Sequence, residues 1–125
     1  MNKLAVVVTT PPYSNLTITA LNYVETALAA GIEVIGVFFY QDGAIQANRH
    51  VTIASDEYQA IEHWTRLHQH YQLPLYLCIT AAEKRGVQCD DLPVTGQSNI
   101  NEIFTVSGLG ELVELSTRAS RLVQF

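Results

Sequence analysis

Short runs of apolar residues that do not alternate with polar ones recur along the chain and predict buried strands. Leu4 to Val8 and Val34 to Phe39 are continuous runs rich in β-branched and aromatic side chains. This pattern is typical of strands that are covered on both faces in a parallel sheet. Between them, Thr17 to Ala30 carries apolar residues at helical spacing, and Gly31 stands where helices commonly end. The first strand is therefore predicted to be central in its sheet.

The same alternation of strand and helix continues to the end of the sequence. A second helix is predicted after Ser55, which has the side chain of an N-cap, and Trp64 lies on its apolar stripe as a core residue. A last helix is predicted through Leu112 and Leu115, and a final strand from Arg121 to Phe125. One α/β domain over residues 1–125, with a mostly parallel sheet between two helical layers, accounts for this order.

Within this pattern, one cysteine lies between a strand and a helix. Leu75 to Ile79 is a short apolar run after Pro74, while Ala81 to Arg85 consists of strong helix formers. Cys78 is thus expected just ahead of a helix N-terminus, the positive end of the helix dipole. Such a position favours a thiolate, the form of cysteine that attacks or accepts sulfur.

Thr80 and Glu83 have the spacing of a capping box, in which the hydroxyl and the carboxylate bond to backbone amides of the first turn. We therefore expect Thr80 to begin the helix. The alternative for Cys78 is a small core residue on a buried strand, since free cysteine is among the most buried residue types. The residues alone leave both interpretations of Cys78 open.

Charge and composition exclude several classes of function. The 125-residue chain carries 7 basic and 12 acidic residues, and its net charge of −5 argues against direct binding of nucleic acid. No apolar run approaches the roughly 18 residues of a membrane span, and no signal-peptide cleavage site precedes the first strand. We expect a cytoplasmic protein whose two cysteines are reduced.

Cofactor and metal sites have no support in the sequence. Neither G-x-G-x-x-G nor G-x-x-x-x-G-K-[ST] is present, so nucleotide binding is not predicted. His63, His68 and His70 lie close together, but they lack the i, i+4 histidine pairing with a nearby acid that zinc hydrolases use. We predict no cofactor and no metal.

The segment Cys78-x-x-Ala81-Ala82-x-x-Arg85-Gly86 resembles the region around the active cysteine of the TusD/DsrE family of sulfur-relay proteins. Further matching segments follow in the same order and span the chain. They are Pro11-Pro12-Tyr13, Phe38-Phe39-Tyr40-Gln41-Asp42-Gly43 with Ala47-Asn48, Ser107-Gly108-Leu109-Gly110, and the terminal Arg121-Leu122-Val123-Gln124-Phe125.

This resemblance implies a DsrE/F-like fold in a flavodoxin-like arrangement and a sulfurtransferase that carries sulfur as a Cys78 persulfide. The residues that it places around the cysteine, as supporting or wall residues, are Thr80, Tyr13, Tyr40, Asp42 and Asn48. It also implies a heterohexamer, a dimer of heterotrimers, with TusB-like and TusC-like subunits. A TusA-like protein would donate the sulfur and a TusE-like protein would accept it, for 2-thiouridine synthesis at the tRNA wobble position.

Two other functions stay open. A DsrE-type carrier in dissimilatory sulfur oxidation would use the same chemistry in another pathway. A non-catalytic interaction subunit would keep Cys78 only as a buried structural residue. Cys89 lies in a predicted loop from Val87 to Asn99 and could in principle resolve a Cys78 disulfide. The family pattern places no cysteine at that position.

Overall fold

The computed structural model describes residues 2–88 and 98–125. The elements in chain order are β1 (Lys3–Val8), α1 (Asn15–Ala29), β2 (Glu33–Phe39), a 3₁₀ helix (Gln41–Ala47), α2 (Ala60–Tyr71), β3 (Leu75–Cys78), α3 (Ile79–Glu83), β4 (Thr105–Ser107), α4 (Leu109–Arg118) and β5 (Arg121–Gln124). They form a five-stranded sheet in the order β4-β3-β2-β1-β5. Every strand pair that the structure describes in this sheet is parallel.

The buried apolar runs of the sequence form the middle of the sheet. β1 lies between β2 and β5, with Val6 in register with Val37 on one side and with Val123 on the other. Leu4 to Val8 are all buried, as expected for a strand that is covered on both faces. The prediction that the first strand is central is therefore confirmed.

Helix α1 begins at a side-chain cap. The Ser14 hydroxyl accepts a hydrogen bond from the Leu16 amide at 3.2 Å, so the helix begins two residues before its predicted start at Thr17. At its other end, Gly31 has a φ of +82°, the left-handed conformation that glycine adopts without strain. The predicted end of this helix is confirmed.

Helices cover both faces of the sheet. On one face, the Trp64 ring of α2 meets the Phe39 ring of β2 edge-on, with centroids 5.2 Å apart. Gly36 belongs to the opposite face of β2, since successive strand residues alternate between faces. A Cβ at Gly36 would lie 3.1 Å from Leu115 of α4 and 2.8 Å from the Tyr76 ring. Glycine thus lets the α4 layer approach the strand, and the predicted three-layer arrangement is confirmed.

The start of α2 differs from its prediction. The helix begins at Ala60, and its N-cap is Gln59, whose side chain makes no cap hydrogen bond. That side chain instead donates to backbone carbonyls of the preceding turn, those of Ile53, Ala54 and Glu57. Ser55 lies within this turn and caps no helix. The prediction from Ser55 was wrong because the chain turns once more before the helix begins.

The region before α4 also differs. The sequence predicts a short helical turn from Ile100 to Phe104, but Ile100 forms an isolated antiparallel bridge with Asn48. The strand β4, which follows, was not predicted. It has only three residues, and its first two are exposed at the edge of the sheet. A short exposed edge strand has no buried face to leave a pattern in the sequence.

Candidate functional site at the carboxyl end of β3

Cys78 is the last residue of β3 and the N-cap of α3. The predicted placement of this cysteine between strand and helix is confirmed. The helix begins at Ile79, two residues earlier than predicted, so Thr80 lies inside it. The expected capping box of Thr80 and Glu83 was wrong, because the strand passes into the helix with no intervening residue and leaves the N-cap position to Cys78.

The Cys78 side chain is fully buried in the isolated chain, with 0% of its surface exposed. It is a free thiol. Ala81 and Ala82 of α3 are buried beside it in the same apolar core. The site therefore keeps the sulfur away from bulk water, and access to it depends on the surface next to α3.

A cavity of about 240 Å³ opens next to this junction. It is lined by residues of α3 and the turn after it, by residues that follow β2, and by the first residue of α4: Thr80, Ala81, Lys84, Arg85, Tyr40, Gln41 and Leu109. Tyr40 and Thr80, both predicted as site residues, are thus brought together. Gln41 has a φ of +53°, a conformation that costs a non-glycine residue energy and that clusters at functional sites. Cys78 itself is not part of the lining.

Arg85, one of the residues that line the cavity, forms an ion pair with Asp42. The Arg85 guanidinium donates from Nε to Asp42 Oδ1 at 2.9 Å and from a terminal nitrogen to the Ala81 carbonyl at 3.0 Å. Asp42 is in the first turn of the 3₁₀ helix, so this pair joins that helix to α3. The predicted site residue Asp42 therefore holds the wall of the cavity through Arg85.

The other two predicted wall residues lie elsewhere. Tyr13 is 66% exposed and lines a separate cavity with Pro12 and Tyr58. Asn48 lines a third cavity, and its side-chain oxygen accepts a hydrogen bond from the His50 amide at 3.0 Å. Neither residue lines the cavity beside α3. Cys89 lies outside the described residues.

Ser107 is a residue of this region that sequence reasoning did not assign to the site. It is in register with Cys78 on the neighbouring strand β4. Its hydroxyl oxygen is buried, and it has no hydrogen-bond partner in the structure. The sequence signal was the matching segment that begins at Ser107, but its position opposite the cysteine depends on the strand pairing.

Tyr76 lies two residues before the cysteine on the same strand. Burial raises the pKa of Tyr76, and a hydrogen bond with the Glu111 carboxylate of α4 raises it further. Both effects favour the neutral phenol, because a phenolate would be partly desolvated and would face a negative charge. Helix α4 thus brings two carboxylates that raise the pKa of Tyr76, those of Glu111 and Glu114, and one cation that lowers it, Arg118.

Among residues 2–88 and 98–125, no group of three or more His, Cys, Asp or Glu side chains is placed to hold a metal ion. None of the helices in this described part is both long and apolar enough to cross a membrane.

Comparison with known proteins agrees with this architecture. The model of the DsrE/DsrF-like family matches residues 2–125. Sulfurtransferase TusD of Enterobacter sp. (strain 638) is 36% identical over 128 residues, which cover 98% of this chain and 99% of the relative. Sulfurtransferase TusD of Klebsiella pneumoniae is 35% identical with the same coverage. The crystal structure of the ychN protein from E. coli matches all of both chains with a TM-score of 0.77 at 19% identity, which supports the fold alone.

The chain therefore belongs to the DsrE/DsrF-like family. Its full-length relatives named sulfurtransferase TusD support a sulfurtransferase activity. The resemblance in the sequence to the TusD/DsrE family is confirmed by these matches.

Proposed function

We propose that the protein transfers sulfur as a persulfide on Cys78. The observation that carries this proposal is the position of Cys78 at the junction of β3 and α3, beside a cavity that opens to the surface. The first amides of a helix have no intrahelical partner and interact favourably with a negative charge. Cys78 is the N-cap residue of α3, and its side chain makes no cap hydrogen bond in the unloaded chain. We propose that these amides stabilise a sulfur anion formed at Cys78.

The proposed reaction exchanges one sulfur–sulfur bond for another. The Cys78 thiolate attacks the outer sulfur of a donor persulfide, and a bond forms between Sγ and that sulfur while the donor's own sulfur–sulfur bond breaks. The donor leaves as a thiolate, and the proton of its persulfide stays with the transferred sulfur. An acceptor thiolate then repeats the same step on the Cys78 persulfide. No outside oxidant or reductant is needed.

Burial of the sulfur fits the need to protect a persulfide from oxidation. Oxidants reach exposed thiolates most readily, and the isolated chain leaves Cys78 with 0% exposure. The neighbouring cavity, lined in part by Tyr40 and Thr80, is the proposed route by which donor and acceptor sulfurs reach it. The ion pair between Asp42 and Arg85 holds Arg85 in position at the wall of that route.

The relatives named sulfurtransferase TusD support sulfur transfer, and the resemblance of the sequence to the TusD/DsrE family implies a relay that serves tRNA. We propose that this chain works in the cytoplasm with TusB-like and TusC-like subunits as a dimer of heterotrimers. It would receive sulfur from a TusA-like donor and pass it to a TusE-like acceptor for 2-thiouridine synthesis at the wobble position. The net charge of −5 supports delivery through another protein rather than direct contact with RNA.

Mass spectrometry of the intact protein tests the proposal. Wild type and Cys78→Ser are mixed with a small persulfide donor, cysteine persulfide, and freed of excess reagent. Wild type is expected to gain one sulfur atom and Cys78→Ser none. If both proteins gain sulfur equally, the sulfur is carried by a residue other than Cys78. No gain by wild type, alone or with a persulfidated protein donor, would contradict the persulfide function.

Complete burial favours a second candidate, an interaction subunit whose Cys78 is structural. The rate of alkylation by iodoacetamide at mildly acidic pH separates the two functions, because a poised thiolate reacts quickly and an inert buried thiol slowly. If Cys78 is alkylated only as fast as the whole protein unfolds, the result would support the structural role. A DsrE-type role in sulfur oxidation predicts the same reactivity, and loss of tRNA thiolation on deletion of the gene distinguishes the two pathways.

A further inference from the structure

The Ser107 hydroxyl is an exception among the buried polar side chains in the described part of the chain. Its oxygen is inaccessible to solvent and has no hydrogen-bond partner. Most buried polar groups in folded proteins are hydrogen-bonded, and a buried donor without a partner destabilises the fold. An unpaired hydroxyl at this place therefore suggests a partner that is bound only in another state of the protein.

The position of Ser107 points to that partner. Ser107 pairs in register with Cys78 in the parallel ladder of β3 and β4. Neighbouring strands lie about 4.8 Å apart, and residues in register project to the same face. The Ser107 side chain therefore lies next to the Cys78 side chain, yet the thiol sulfur does not accept its hydrogen bond.

A persulfide would change that geometry. The added sulfur lies about 2.05 Å beyond Sγ, which extends the Cys78 side chain by one bond length. A terminal persulfide sulfur is readily ionised, and hydrogen bonds to an ionised acceptor are about twice as strong as neutral ones. The hydroxyl that has no acceptor in the unloaded protein thus has an anionic one within its reach in the loaded protein.

We infer that Ser107 binds the transferred sulfur by donating its hydroxyl hydrogen bond to the terminal sulfur of the Cys78 persulfide. This inference rests on the proposed persulfide function. Ser107 forms no covalent bond and keeps its proton throughout. Its effect is to stabilise the loaded state and to orient the terminal sulfur, while the unloaded fold gains nothing from it.

Removal of the hydroxyl tests this assignment in the full chain. Ser107→Ala, Ser107→Thr and the control Thr105→Ala are loaded with cysteine persulfide, and the persulfide is followed by mass spectrometry. Thr105 is an exposed hydroxyl residue on the same strand. Ser107→Ala is expected to shorten the lifetime of the Cys78 persulfide about tenfold, the effect of one hydrogen bond to a charged group. Ser107→Thr, which retains a hydroxyl, is expected to keep the wild-type lifetime of the persulfide. Thr105→Ala is expected to behave as wild type.

Stability of the unloaded protein is the second measurement. Ser107→Ala should melt at the wild-type temperature or above it, because it removes a buried hydroxyl that has no partner. A lower melting temperature than that of Thr105→Ala would assign the hydroxyl a structural role and overturn the inference.

The loading experiment separates this inference from the proposed function. If wild type and Ser107→Ala load and hold sulfur equally, Ser107 does not bind it, and the persulfide function stands. If the Cys78 persulfide decays as fast in Ser107→Thr as in Ser107→Ala, the effect comes from packing, and the inference is again overturned. If wild type itself takes up no sulfur, the proposed function fails first and the role of Ser107 with it.

Discussion

Two buried polar regions lie at the same end of the sheet, and they differ in how far their hydrogen bonds are satisfied. In the first, Gln46 of the 3₁₀ helix is 2% exposed. Its side-chain nitrogen donates to the Thr10 carbonyl at 2.9 Å and to the Thr17 hydroxyl at 3.1 Å. Its side-chain oxygen accepts from the Trp64 indole at 2.9 Å. In the second, the half-buried Ser107 pairs with Cys78 in the sheet, and its buried hydroxyl oxygen has no hydrogen-bond partner.

The hydrogen bonds of the Gln46 side chain stabilise the fold, whereas the Ser107 hydroxyl is free to bind another group. Gln46 links the loop after β1, helix α1 and helix α2 through hydrogen bonds within the chain. A satisfied buried network of this kind rigidifies a core. In the region of Cys78 and Ser107 the buried hydroxyl makes no such bond, which leaves it available to the persulfide that we propose.

Gln46→Leu should have the largest effect on stability. It leaves the Trp64 indole and the Thr10 carbonyl buried without partners, and we expect the free energy of unfolding to fall by about 2–4 kcal/mol. Urea unfolding measures the change. Gln69→Leu on the exposed side of α2 is the control, with an expected effect near zero. If Gln46→Leu is as stable as the control, the hydrogen bonds of Gln46 do not stabilise the fold, and the two regions do not differ in this respect.

Gly43→Ala should be the next most disruptive change. A Cβ at Gly43 would lie 2.0 Å from the Val8 carbonyl oxygen, so the 3₁₀ helix must move away from β1. We expect a loss of about 1–3 kcal/mol, as for overpacked cores, measured by thermal unfolding. Gly110→Ala is the matched control, because no atom lies within 4 Å of its added methyl group. Equal stability of the two variants would show that the 3₁₀ helix is not seated against β1.

Asp42→Asn should have a smaller effect, because its pair with Arg85 is exposed. The side chains of Arg85 and Asp42 are 27% and 60% exposed, and such pairs contribute less than about 1 kcal/mol. We expect a small loss of stability in low salt that disappears in high salt, where the pair is screened. Thermal melting at two salt concentrations measures it. A loss that persists in high salt would show that Asp42 acts through something other than its charge.

The smallest effect is visible only at alkaline pH. The pKa of Tyr76 is raised above the ordinary value of 10.0, first by burial and then by Glu111. The folded state therefore prefers the neutral phenol, and this stabilisation is fully present below about pH 10 and lost as the pH rises through the raised pKa. Tyr76→Phe, which cannot ionise, should lose less stability than wild type above pH 10. If the stabilities of the two proteins depend on pH in the same way above pH 10, the raised pKa of Tyr76 would be contradicted.

The sequence revealed the interior of the sheet more reliably than its edge. The strands β1, β2 and β3 are covered on both faces, so their apolar runs were visible and their bounds were predicted to within one residue. The edge strand β4 left no such pattern, because its residues are mostly exposed. The start of α2 was misplaced since Ser55 has a capping side chain but lies one turn too early.

The site was predictable only as far as it depends on neighbours in sequence. Cys78 could be placed between a strand and a helix because both elements adjoin it. The approach of Asp42 to Arg85 and of Ser107 to Cys78 joins residues far apart in the chain. Those contacts follow from the order and register of the strands, which the sequence pattern does not specify. Tyr13 was grouped with the cysteine by likeness of motifs, and it lines a different cavity.

The absence of a side chain at Gly36 has a consequence for how this protein tolerates change. The Tyr76 ring and the Leu115 side chain occupy the space that a methyl group at position 36 would fill. The three positions are therefore expected to be epistatic: a larger residue at 36 is compatible with the fold only when the ring at 76 or the side chain at 115 is reduced at the same time. A library that varies one position at a time would score position 36 as intolerant of larger residues, while paired substitutions would recover folded proteins.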